Sequence, residues 1–258
     1  MKQKIYVIGF PKSGNTWLAR LMAEITNSNI HANSNKDYLH LADNSFKRNG
    51  DFIIYKEHAV DDIELVLKEK VIYIVRDVRD VIISGFFHSH RKINENLILN
   101  NKIMNKYFEY EIRGLNNKWQ GNFLNRMYLR FVIFVKFLLN KKKLVEFGGW
   151  SDHVEYWMQW KEVCFVRYED LLDDTKGEIT RIVSELDLNI DENIIDKAIQ
   201  NQSFDKKKET FLQQGDIKNL EFLRNGKKES WKRLLSNEMY KEIITKHSKI
   251  MKQFNYIK

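Results

Sequence analysis

The stretch that most constrains this chain lies at its start. Lys4 to Gly9 reads KIYVIG, a β-branched run, and passes straight into Phe10-Pro11-Lys12-Ser13-Gly14. From Asn15 to Ile25 apolar residues then recur at Trp17, Leu18, Leu21, Met22 and Ile25. The run predicts a buried strand, the Pro-Lys-Ser-Gly segment a turn, and the spacing a helix. Pro11, the single proline of the chain, stiffens the turn. Such a strand–turn–helix aims backbone N–H groups at one spot, where the helix dipole adds partial positive charge, so a phosphate-like anion fits there. Gly9 to Thr16 matches the spacing G-x-x-x-x-G-K-[ST], except that Asn15 stands where a nucleoside triphosphate-binding loop has its lysine. A kinase needs that lysine, together with Mg²⁺ held by the next hydroxyl and an Asp at another strand end. Here a lysine sits earlier, at Lys12, and the strand Val71–Val75 runs into Arg76 before Asp77. The expected charge of the cradle therefore comes from side chains, and no metal is expected.

The rest of the chain repeats the alternation. Phe52–Lys56, Val71–Val75 and Val163–Val166 read as further short strands, with helical patterns from about Val78 to Phe87, over 169–187 and over 232–254. Alternating strands and helices predict a parallel sheet covered on both faces, an α/β, P-loop-like three-layer sandwich whose ligands bind at the carboxyl ends of the strands. A chain of 258 residues, 43% hydrophobic and 30% charged, can form such a core, and one domain over 1–258 is expected. Residues 90–150 read as a polar, aromatic-rich, mostly helical insertion. The lone Cys164 excludes an internal disulfide and a Cys-rich zinc site, and fits a reducing, cytoplasmic setting. Ile5 to Phe10 is too short for a signal peptide, and Met127 to Leu139, broken by Arg130 and Lys136, is too short to span a bilayer. A net charge of +8 suits an anionic ligand.

Phe10-Pro11-Lys12-Ser13-Gly14-Asn15-Thr16-Trp17-Leu18 resembles the 5′-phosphosulfate loop of the sulfotransferases that use 3′-phosphoadenosine 5′-phosphosulfate (PAPS), whose cytosolic members read PKSGTTW. Ile72 to Ser84 resembles their 3′-phosphate motif, YxxRNPxDVxVS, with Asp77-Val78-Arg79 replacing Asn-Pro-x. Tyr55-Lys56-Glu57-His58 resembles their K-x-H. Gly148 to Trp157 is similar to their GSWxxHVxxWW, and Phe165 to Leu171 to their FYEDL. Leu223 to Lys232 resembles RKGxxGDWK, with Asn225 in place of a lysine and Glu229-Ser230 in place of Gly-Asp. The motifs run in the family's order from residue 5 to about 232.

The resemblance implies the roles. Lys12, Ser13, Gly14, Asn15, Thr16 and Trp17 would cradle the 5′ end of the nucleotide, and Arg76 with Ser84 its 3′-phosphate. Tyr168, Ser203 and Phe204 would stand at the adenine, Phe204 and Trp17 on its two faces. Arg224, Asn225 and Gly226 would close over the 3′-phosphate, with Lys227 or Lys228 replacing the missing cation. His58 would be the general base, and Lys56 and Lys12 would stabilise charge on the sulfuryl group and the departing phosphate. A histidine suits proton transfer because its unperturbed pKa of ~6.5 lies near working pH. Alternate residues of an extended chain share a side, so Lys56 and His58 can address one pocket. For Trp150, Trp157 and His153 core filling is the expected role. The implied reaction moves a sulfuryl group from PAPS, giving PAP, to a hydroxyl or amine of a small-molecule acceptor, with no nucleic-acid partner and no stable membrane insertion. A P-loop kinase and a basic membrane-surface protein, the latter built on Met127–Leu139 and Lys141–Lys143, are the competing readings.

Overall fold

The β-branched runs become one sheet. In the computed structural model the described residues are 2–31, 50–58, 60, 62–85, 149–223, 226–233, 235 and 237–258. Strands β1 (Gln3–Ile8), β2 (Asn29–His31), β3 (Phe52–Glu57), β4 (Lys70–Val75) and β5 (Val163–Arg167) lie in the order β2-β3-β1-β4-β5, each pair parallel. Four of them stand where the sequence placed them, to within a residue or so. The edge strand β2 is the addition: three residues are too few to show a period of two. Helix α1 spans Asn15–Ile25, as the apolar spacing predicts. The segments Met127–Leu139 and Lys141–Lys143, and nearly all of the insertion 90–150, lie outside the described residues.

Period-two alternation assigns the two faces of the sheet. Ile5, Val7, Ile54, Ile72, Ile74, Cys164 and Val166 share one buried cluster with Leu18, Leu21 and Ile25 of α1 and with Ile179, Ile182 and Ile195 of the helices Thr175–Glu185 and Glu192–Asn201. The residues between them carry rings on the other side: Tyr6 stacks on Tyr55 at 5.0 Å, and Tyr73 meets Phe165 at 5.1 Å and Trp157 at 6.0 Å. Trp157 belongs to the helix Trp150–Trp157, and Phe165 also meets Phe254 near the C-terminal end of the chain. Register then decides what shares the carboxyl edge. Val7 pairs with Lys56, Ile8 with Glu57 and Ile8 with Tyr73, so the loop after β1, the residue after β3 and the residues after β4 emerge together.

The chain divides into two units. The first comprises Met1–Asp77, Trp150–Lys228 and Lys249–Lys258, and holds the sheet. The second comprises Val78–Gly149 and Glu229–Ser248. Among the described residues of the second, 78–85 are helical, Ser230–Arg233 form a 3₁₀ turn, and the helix Asn237–Gln253 begins. It is organised around Arg79 and Asp80. The Arg79 guanidinium lies 3.9 Å over the Trp231 ring, which stacks on Tyr240 at 5.5 Å, and the Asp80 carboxylate accepts the backbone N–H groups of Glu229 at 2.6 Å and Trp231 at 3.1 Å. No helix among the described residues is long and apolar enough to cross a membrane.

Leu18 is fully buried in the α1 cluster. Truncating it leaves a cavity that a sheet packed on one side of it cannot close. Leu18→Ala is therefore expected to cost about 3 kcal/mol in urea unfolding with little change in the slope; a loss under ~1 kcal/mol would contradict this packing.

Candidate active site

The loop after β1 is built by two left-handed residues. Lys12 has φ 74° and Gly14 φ 106°, and between them Ser13 N–H closes a tight turn on the Phe10 carbonyl at 3.1 Å. Gly14 is the N-cap of α1, with no side chain capping the helix and no acidic residue in its first turn. The N-terminal amides and the positive end of the dipole are thus left for a ligand. A methyl group on Gly14 would stand 2.6 Å from the Tyr168 ring, so only glycine serves here on both counts, backbone angle and space.

Asn15 explains what replaces the missing lysine. Its Nδ2 donates to the Gly9 carbonyl at 3.0 Å and to the Glu57 carbonyl at 3.4 Å, so the side chain ties the ends of β1 and β3 together. Its Oδ1 is buried with no hydrogen-bond partner among the described residues. Ser13 is fully buried, with no partner for its Oγ among the described residues; Thr16, one helical turn's start further on, is 8% exposed.

Arg76 follows β4 and is 8% exposed. Its guanidinium donates to the Lys12 carbonyl at 3.3 Å and the Lys227 carbonyl at 3.2 Å, and lies 4.1 Å over the Tyr168 ring. Nε has no partner, and no carboxylate pairs with it among the described residues. The nearby Glu169 is otherwise engaged: its carboxylate accepts the Asp77 N–H at 3.1 Å and the Tyr256 hydroxyl at 2.9 Å, and burial holds its pKa above the usual carboxylate value against these bonds and the charge of Arg76. The Arg-Asp repeat of 76–80 is therefore buried, with all four charged residues under 9% exposed, and is no surface ladder. The segment at Gly226 reaches Arg76 through the Lys227 carbonyl, while Lys228 pairs with Asp173.

His58 comes next to Gly9 through the β1–β3 register. Its Nδ1 must donate to the Gly9 carbonyl, 2.8 Å away, because a carbonyl can only accept; Nε2 therefore keeps the lone pair of the neutral ring. Its backbone carbonyl accepts from His153 Nε2 at 2.7 Å, and His153 Nδ1 lies 2.7 Å from the Tyr73 hydroxyl. Burial pushes the His58 pKa down to about 3, with the charges of Lys56 and Lys12 and the nearness of His153 acting in the same direction and the Gly9 carbonyl opposing. Burial likewise lowers Lys56 to about 8, aided by Arg20 and opposed by Glu57. Lys56 and Lys12 are thus each within electrostatic reach of His58, the first in keeping with the K-x-H spacing.

The other expected site residues fall in three groups. Tyr168 stands between Gly14 and Arg76 and meets Trp17 edge-on at 5.9 Å, while Phe204 lies against Gly226, whose φ is 56° and where a Cβ would come within 2.6 Å of the ring. The Ser203 hydroxyl is committed to capping the helix Phe204–Gln213, accepting from Lys206 N–H at 3.3 Å. Ser84 belongs to the second unit and is half-buried; Arg224 and Asn225 lie outside the described residues. Sequence reading missed Tyr73, Glu169 and the inward turn of Asn15. Only Tyr73 carried a signal, a phenol within an otherwise aliphatic buried strand, which needs a partner.

The Sulfotransferase domain family matches residues 2–255, and the chain belongs to that family. It is 28% identical over 175 residues to Sulfotransferase 2A1 of Mus musculus, covering 64% of this chain and 50% of that protein. Sulfotransferase 1B1 of the same species is 25% identical over 230 residues, 81% of this chain and 66% of its own. The chain spans about half the length of several of the curated relatives it matches. Among solved structures, mouse sulfotransferase SULT7A1 complexed with PAP aligns with a TM-score of 0.62 at 22% identity, over 98% of this chain and 85% of that one, and shares the fold.

Two histidines kept neutral by burial make stability depend on acid. Both His58 and His153 have pKa values lowered in the fold, so below the unfolded value of ~6.5 the unfolded chain takes up protons that the folded chain refuses. Stability is expected to be intact above that pH and to fall by pH 5 by roughly 2 kcal/mol through His58, with His153 adding to the loss, read by urea unfolding at pH 7.5 and 5.0. The loss should shrink in His58→Gln; an unchanged loss would mean that His58 is protonated in the fold.

Proposed function

We propose that this chain is a PAPS-dependent sulfotransferase that moves a sulfuryl group to a hydroxyl or amine of a small-molecule acceptor in the cytoplasm and releases PAP. The observation that carries the reading is a buried guanidinium, Arg76, with one nitrogen unpartnered and no ion-paired carboxylate among the described residues, beside a glycine turn with an uncapped helix start. Two anion-seeking centres in one unit suit a nucleotide with phosphate at both ends. Ser13, Gly14, Asn15 and Thr16 would hold the 5′ phosphosulfate through backbone and hydroxyl donors, Arg76 the 3′-phosphate, and Tyr168, Trp17 and Phe204 the base. The donor supplies a sulfuryl group on a good leaving phosphate; the protein supplies position and charge. Lys12 and Lys56 neutralise negative charge, and His58 Nε2 takes the acceptor's proton. A His58 pKa near 3 keeps the ring neutral across the working range, so no protonation-linked loss of kcat/KM near pH 6.5 is expected.

The kinase alternative asks for a cation at position 15, where the Asn15 amide is bound to two carbonyls. Asn15→Lys would leave those carbonyls without their donor and is expected to destabilise the fold by about 1–3 kcal/mol without conferring ATP hydrolysis.

A screen with radiolabelled PAPS over phenols, alcohols, amines and sugars tests the proposal. Transfer to at least one class is expected, and none, with PAPS unbound, would contradict it. With the acceptor so found, His58→Ala should keep PAP affinity within about two-fold and lose at least ~100-fold in turnover. Arg76→Ala should weaken PAP binding by at least ~1.5 kcal/mol in calorimetry.

A further inference from the structure

His58 is held at two points. Its ring donates to the Gly9 carbonyl at 2.8 Å, and its own backbone carbonyl accepts from His153 Nε2 at 2.7 Å. Because a carbonyl only accepts, His153 carries its proton on Nε2 and presents a lone pair at Nδ1. The Tyr73 hydroxyl, 2.7 Å away, donates to that lone pair. The relay thus starts on β4, crosses to the helix Trp150–Trp157, and ends on the backbone of residue 58. Phe10 sets its ring edge-on to the His153 imidazole at 5.7 Å.

Polar groups are costly in this place. Tyr73 is fully buried and His153 is 3% exposed, within a sheet face otherwise filled by rings. An apolar pair of the same volume would fill the space without losing hydration, whereas a polar relay specifies one arrangement only when every member is satisfied, as here. The direction of each hydrogen bond is fixed by the two carbonyls at which the network ends. Were the Tyr73 hydroxyl removed, the Nδ1 lone pair would lose its buried donor, and the imidazole would lose the contact that holds it in line with the His58 carbonyl.

We propose that His153 and Tyr73 are positioning residues for His58: His153 pins the carbonyl of residue 58, and Tyr73 holds the His153 imidazole where it can do so. Together they hold the His58 ring against Gly9 in the Nδ1–H form, with Nε2 as the basic nitrogen. The name of base rests on the sulfotransferase reading; the control of ring tautomer does not. The edge-on contact of Phe10 with His153 sets this relay beside the turn that, on the sulfotransferase reading, receives the donor's phosphosulfate.

The test is ¹⁵N imidazole NMR on the full chain at pH 7.5, with PAP calorimetry and PAPS consumption in parallel. Four proteins are compared: wild type, His153→Gln, His153→Asn and Tyr73→Phe. A glutamine amide reaches as far as imidazole Nε2 and can donate to the same carbonyl; an asparagine amide reaches only as far as Nδ1. Wild type and His153→Gln are expected to show His58 wholly as the Nδ1–H tautomer. In His153→Asn and Tyr73→Phe the Nε2–H form should become readily detectable, and PAPS consumption should fall at least ~10-fold with PAP affinity within two-fold, the scale of a misplaced group. An unchanged His58 tautomer in both of these variants would overturn the proposal, and so would a loss confined to PAP affinity or to folding. Wild-type protein that neither binds PAP nor consumes PAPS would instead defeat the sulfotransferase reading, while the tautomer comparison, which needs no nucleotide, would still decide the positioning role.

Discussion

A guanidinium taken out of water with no ion-paired carboxylate among the described residues organises this protein. Burying a charge is costly unless it is paired, and Arg76 is met by two backbone carbonyls and the face of Tyr168. That arrangement satisfies part of the ion and leaves Nε for a further acceptor. It also joins three distant pieces of the chain, the glycine turn through Lys12, the segment at Lys227, and the start of the helix Tyr168–Asp173. Any anion seated beside Arg76 would complete a site whose cost the fold has already met.

The geometry around it follows from the sheet. Parallel register brings the carboxyl ends of β1, β3 and β4 to one edge, and each contributes its own groups there: backbone amides after β1, an imidazole and an ammonium at the end of β3, a guanidinium after β4. Gly14 and Tyr168 hold two of these in contact, since the turn can approach the ring only without a side chain. Asn15 clasps β1 to β3 from inside. A residue that looks, by position, like a weakened ligand is in fact a brace between the two strand ends.

Much of this was legible in the sequence because the signals are local. The KIYVIG run, the Pro-Lys-Ser-Gly turn and the spacing of Trp17, Leu18, Leu21 and Ile25 specify β1, the loop and α1 with little help from the rest of the chain. Lys56, His58 and Arg76 were picked out by the resemblance of their motifs, with alternation placing the first two on one side and a buried strand preceding the third. The missed features depend on partners far away in sequence. Asn15 acts on Glu57, Tyr73 on His153, and Glu169 on Asp77 and Tyr256, and no periodicity reports a hydrogen bond across such separations. The strand Asn29–His31 was missed for the opposite reason: it is too short to have a pattern at all.

The central claim is that the turn after β1 and Arg76 grip opposite ends of one doubly phosphorylated adenosine. The most direct measurement is a calorimetric titration of the wild-type chain with PAP and, separately, with 5′-AMP. The account predicts saturable 1:1 binding of PAP without divalent cation, at least about ten-fold tighter than 5′-AMP, the scale of one charged hydrogen bond. Equal affinity for the two nucleotides, or no binding of PAP, would contradict it.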